Sequence, residues 1–175
     1  MAKSSVMRFI EGNYELMGMD IDNSYEKVKV ILETYKEVIW GNLGQVDLSN
    51  IDDYIDYDSI YGDDRFAFLL KFVSKDELIE FKRRAKAAMQ TKEMTALIKQ
   101  SVLKVKEYPR QGELYYQILD LKYLNYFQYC EEDILEQINV DRSTYFRKKK
   151  EAMYLLGYTL FGLIIPGFII RSHTI

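Results

Sequence analysis

Residues 131–157 read EEDILEQINVDRSTYFRKKKEAMYLLG, and the architecture turns on how they fold. Ile134, Leu135 and Ile138 recur at helical spacing in the first eight positions. Asn139, Val140 and Asp141 break that pattern, and a second one starts at Arg142. Asp141 is placed to accept backbone N–H bonds at the head of the second helix, where its charge also suits the helix dipole. Wound as an α-helix, the second segment has two faces. Tyr145, the stem of Lys148 or Lys149, Ala152, Leu155 and Leu156 share one of them. Arg142, Ser143, Phe146, Arg147 and Lys150 share the other. The first face matches Ile134, Leu135 and Ile138 in the preceding helix, with Ile118 and Leu121 behind them.

Charge gives the outer face its meaning. Five of the chain's 24 Lys and Arg residues fall within residues 139–153, although the 175-residue chain carries a net charge of −3. Residues 1–65 hold fourteen acidic and six basic side chains, and residues 66–175 hold thirteen and eighteen. The C-terminal part is therefore the part suited to a polyanion. A short helix, a three-residue turn and a second helix with a basic outer face form a helix-turn-helix, whose second helix enters the major groove of DNA. The candidate DNA contacts are Arg142, Ser143, Thr144, Phe146, Arg147, Lys148, Lys149 and Lys150. The competing reading is a solvated helix face that only keeps the chain soluble.

The same stretch resembles the helix-turn-helix of sigma-factor region 4 and of small phage transcription regulators of the ArpU and RinA type. Glu132 and Ile134 match the opening of the first helix in those families. Arg142, Ser143, Thr144, Arg147 and Ala152 match the hydroxyl-rich start and the basic run of the second. Asp141 stands where serine is commoner, which keeps the cap and removes one phosphate contact. The resemblance spans about residues 112–160 and contains no counterpart of sigma region 2. It implies a sequence-specific regulator of transcription that binds double-stranded DNA, with RNA polymerase as a further candidate partner.

Two prolines and nine glycines leave long stretches without a breaker, so the expected class is mainly α, a helical bundle carrying a C-terminal helix-turn-helix. Helices are expected over residues 23–40, capped by Asn23 or Ser24 and ended by Gly41 and Gly44. Others are expected over 74–90, opened by a Ser74–Glu77 capping box, then over 92–107 and 112–124. The expected division is a helical region over 1–107, for oligomerisation or partner binding, and a DNA-binding region over 108–175. Residues 45–64 carry seven Asp and no Lys or Arg, but lack the order of a calcium loop, and read as a solvated connection. Lys82, Arg83, Arg84 and Lys86 read as a solvated face.

Cys130 and His173 are the only residues of their types, so one protomer cannot assemble a zinc site from Cys and His. No glycine-rich phosphate loop, metal set or nucleophile–base pair is visible. The expectation is a non-enzymatic, cytoplasmic protein without cofactor or metal. Residues 152–170 are uncharged and long enough to consider as a membrane span, but Gly157, Gly162, Pro166 and Gly167 are expected to break them up. A tail packed on the N-terminal helices or on a second protomer is expected instead, most simply in a two-fold dimer. The rival functional readings are a DNA-packaging subunit of the small-terminase kind and a helical adaptor whose basic helix meets an acidic protein.

Overall fold

The computed structural model describes residues 3–42 and 65–173. The acidic stretch 45–64 and Gly44 lie outside the described residues. Among the described residues all regular structure is helical, as the composition predicts. The elements are α1 (Ser5–Leu16), α2 (Ile21–Asn42), 3-10 turns at Ala67–Leu70 and Lys75–Glu77, α3 (Leu78–Ala88), α4 (Lys92–Lys106), α5 (Gly112–Leu119), α6 (Glu131–Ile138), α7 (Arg142–Gly157) and α8 (Ile165–His173). Asp120–Leu124 and Tyr158–Ile164 are π-helical.

Helix α1 has no counterpart in the sequence reading. The Ser4 hydroxyl accepts from the Met7 N–H at 3.2 Å and opens it. Its buried face is narrow, with Ile10 and Tyr14 fully inside. At its end Gly18 adopts φ +66°. The Gly18 N–H bonds to the Glu15 carbonyl and the Met19 N–H to that of Tyr14, the paired bonds of a Schellman motif.

Helix α2 starts earlier than the Asn23 or Ser24 cap predicts. Asp20 caps it, accepting from the Asn23 N–H at 2.8 Å, because that carboxylate reaches the first free N–H groups before either later residue can. The Asn23 side chain instead holds Val73, accepting from its N–H at 3.1 Å and donating to its carbonyl. Val28, Ile31, Leu32, Tyr35 and Val38 form the buried stripe of α2. At the Ser74–Glu77 pair the hydroxyl bonds the Glu77 carboxylate at 2.7 Å and caps no backbone group, so a 3-10 turn precedes α3.

The apolar tail does not break. Backbone runs helically from Arg142 to His173, with the π segment Tyr158–Ile164 in its middle. Gly157 serves the packing rather than ending the helix: a side chain there would collide with the Tyr14 hydroxyl, and its bareness lets α1 and α2 close on the rod. Pro166 lies two residues past the end of the π segment, whose wider register lies where the missing proline N–H interrupts the α ladder. Met153, Leu156, Leu160, Phe161 and Ile165 of this rod join the main core with Ile10, Leu32, Leu69, Ile98 and Tyr115. The tail thus packs on the N-terminal helices of its own chain. The segment 142–171 is long and apolar enough to cross a membrane by length and composition, but half of its most apolar window is buried among other helices.

Lys27 places a cation in this interior. Lys27 is 4% exposed, donates to the carbonyls of Leu69 and Lys71 at 2.7 and 3.0 Å, and sits 4.4 Å from the centroid of Phe161. It thereby caps the 3-10 turn Ala67–Leu70 in the way a basic residue satisfies terminal carbonyls. Burial pushes its amine from 10.5 down to about 8. The unfolded chain keeps the higher value, so between those two pH values it binds the proton more tightly than the folded one. The desolvation penalty is full below about pH 8 and fades as pH rises. Urea unfolding at about pH 7.5 and 9.5 should therefore show wild type gaining stability relative to Lys27→Met. A difference that stays flat would mean that the amine is hydrated.

Candidate nucleic-acid interface

The tip of the molecule is built by α6, the turn 139–141 and the first half of α7. Asn139 closes α6 in the left-handed region at φ 55°, a conformation asparagine accepts more readily than most residues, and its N–H bonds to the Leu135 carbonyl at 2.9 Å. Asp141 then caps α7. Its Oδ1 accepts from the Thr144 N–H at 2.7 Å and the Ser143 hydroxyl at 2.9 Å. The Thr144 N–H bond first, and the hydroxyls next, hold the Asp141 carboxyl below its ordinary value.

A small second core anchors the tip. Tyr145, Ile134 and Ile118 are fully buried against one another, with Leu121, Leu135, Ile138 and Val140 around them. Of the inner face of α7 only Tyr145 meets the partners that its spacing assigns, because Ala152, Leu155 and Leu156 pack in the main core instead.

On the other side Arg142, Ser143, Phe146, Arg147 and Lys150 are exposed. Phe146 is 42% exposed and lies between two cations, with the Arg142 guanidinium 5.7 Å and the Lys149 amine 5.6 Å from its centroid. Arg142 also pairs with Glu131 at 3.0 Å, which ties the start of α7 to the start of α6. Lys150 lies over Tyr154 at 5.9 Å.

The remaining candidates lie deeper. Thr144 is half-buried behind the cap. Lys149 is half-buried, and its amine is held below the ordinary value by burial and then by Lys122. Lys148 points inward, its side chain 12% exposed and its amine 3.2 Å from Glu151. Glu151 is 2% exposed and accepts from Ser4 Oγ at 3.1 Å and Tyr115 Oη at 2.7 Å as well. Burial, and then this bond, raises the Tyr115 phenol above its ordinary value. Sequence reading missed Glu151, because an acid inside RKKKEA looks like one more solvated charge. Its phase gave no signal either, since it stands four residues after the exposed Arg147 and about 120° round the helix from Tyr145.

Charge divides between the two helices. Helix α6 exposes Glu132, Asp133 and Glu136, the first two in its first turn where the dipole favours them. Helix α7 exposes the cations. A polyanion approaching the tip is therefore repelled along α6 and attracted along α7, which fixes its side of approach.

Comparison with protein-family models, with curated proteins and with solved structures finds no match to this chain.

Proposed function

We propose that the chain is a sequence-specific double-stranded DNA-binding regulator of transcription, of the kind phages carry, acting in the cytoplasm. In this reading α6 and α7 work as a helix-turn-helix and α7 lies in the major groove. The observation that carries it is the outward row Arg142, Ser143, Phe146, Arg147 and Lys150 on a helix whose start is fixed by the Asp141 cap and whose back is fixed by Tyr145. A helix held in register suits base readout, since an arginine projecting from it can bond guanine O6 and N7 bidentately. Lys149 and Lys150 supply phosphate contacts. Lys148 supplies none here, because Glu151 occupies its amine.

Selection from random duplex DNA would yield the preferred site. At fixed salt, Arg147→Ala should lower affinity for that site by about 1–3 kcal/mol and lower affinity for random duplex less. Lys149→Gln combined with Lys150→Gln should weaken both and flatten the salt dependence by about one unit of slope for each amine withdrawn from a phosphate. Each variant needs a thermal unfolding scan to show an intact fold. Unchanged specificity and unchanged slope in folded variants would remove the DNA reading.

A further inference from the structure

The outward row of α7 contains one side chain that can form no hydrogen bond. Arg142, Ser143, Arg147 and Lys150 each end in a donor, whereas Phe146 ends in a hydrocarbon ring, 42% exposed in their midst. Every other large apolar side chain of α7 is buried: Tyr145, Met153, Tyr154, Leu155 and Leu156. Phe146 belongs to neither of the two hydrophobic cores. Its ring meets that of Tyr145, tilted by 59° at 5.3 Å, and the cations Arg142 and Lys149 on either side.

A single exposed apolar side chain is ordinary on a protein surface, and exposure alone gives it no role. Position distinguishes this one. It stands one turn after Arg142 and one turn before Lys150, on the face by which α7 enters the groove in the DNA reading. Most of what base edges present in the major groove is polar: acceptors on guanine, a donor on cytosine, one of each on adenine. Thymine alone adds an apolar group, its 5-methyl. A phenyl ring pressed on a polar edge strips its water and returns no hydrogen bond, whereas on the methyl it buries hydrocarbon against hydrocarbon.

We propose that Phe146 is a specificity-determining residue that packs on the 5-methyl group of a thymine in the duplex site. The proposal rests on the DNA reading of α7 and names a base that this reading leaves open. An α-helix rises 1.5 Å per residue against 3.4 Å per base pair, so the thymine lies within about two base pairs of the position read by the adjacent Arg147.

Deoxyuridine pairs as thymidine does and lacks only that methyl. In the duplex site selected by the wild-type chain, each thymidine is replaced singly by deoxyuridine, and affinities are measured at fixed salt. One replacement, within that distance of the position whose preference Arg147→Ala relaxes, should weaken wild-type binding about threefold to fivefold, the worth of one buried methyl. Phe146→Ala should bind the two versions of that site equally. It should unfold at about the wild-type temperature, because the ring lies outside both cores, and keep the wild-type salt slope, because no charge is lost. A selected site with no thymine within that reach, no response to methyl removal there, or a response of the same size in Phe146→Ala would each overturn the proposal. So would a Phe146→Ala chain that binds the selected site as tightly as wild type, the result expected of a ring kept for a protein partner. The two readings fail differently. Specificity and salt slope that ignore Arg147, Lys149 and Lys150 remove the DNA reading and this proposal with it. A preferred site that answers to Arg147→Ala and ignores the methyl removes the role of the ring alone.

Discussion

Replacing Glu151 by alanine should cost about 3–5 kcal/mol, the usual loss when one partner of a buried ion pair is removed and its mate stays behind. Three groups converge on this carboxylate from three elements: Ser4 ahead of α1, Tyr115 of α5 and Lys148 of α7 itself. Alanine leaves the Lys148 amine without its counter-charge and two hydroxyls without an acceptor. Against a typical total stability of about 5–15 kcal/mol this is a large fraction, and the melting temperature should fall by roughly 10 °C. The charge can be separated from the hydrogen bonds. Glu151→Leu together with Lys148→Met and Tyr115→Phe removes the ion pair and the phenol, leaves only the Ser4 hydroxyl at the site, and should recover most of the loss, since apolar replacements of buried pairs are often neutral or better. A loss below about 1 kcal/mol in Glu151→Ala would mean that the carboxylate is solvated and that α1 is held by its apolar face alone.

Gly157→Ala sets two effects of known sign against each other. Alanine is the better helix former by about 1 kcal/mol, which alone would stabilise the rod. Its Cβ, however, would run into the Tyr14 hydroxyl and press on Val28 at 3.3 Å. That hydroxyl donates to the Tyr154 carbonyl at 2.7 Å in a buried setting, so displacing it strands a donor. Overpacking and the stranded donor cost about 1–3 kcal/mol each, and destabilisation should win by a few kcal/mol. Tyr14→Phe in the same chain removes the colliding atom, and the double variant should regain most of the stability. Chemical denaturation of the four proteins in a double-mutant cycle measures this coupling. Additive losses would place Tyr14 away from Gly157.

Helical class was legible because period and breaker content agree across most of the chain. The helices of residues 92–106, 112–119 and 131–138 lie where apolar spacing puts them. Helix α1 escaped because its buried face rests on little more than Ile10 and Tyr14, with Gly12 between them and exposed Phe9 beside them. Continuity of the rod escaped for another reason. Gly157, Gly162, Pro166 and Gly167 are breakers in an isolated helix, but tertiary packing makes Gly157 and Gly162 places of close approach, a π register precedes Pro166, and Gly167 stands in open space. At the tip, the division of α7 into inner and outer residues followed from winding alone. The inward lysine did not, since Lys148 and Lys149 are adjacent and chemically alike, and only a buried acid distinguishes them.

One rod carries both the outward row at its start and the centre of the core further along, with no joint between them. The orientation of the outer residues is therefore a matter of phase. Each residue added to or taken from the rod turns everything before it by about 100° relative to the bundle. A single insertion between Lys150 and Ala152, ahead of the core-facing half of α7, would swing Arg147 from the outside of the tip to its flank while leaving every side chain of the row intact. Length along this helix is thus under the same constraint as the identity of its residues, and the π segment is the one stretch already wound out of α phase.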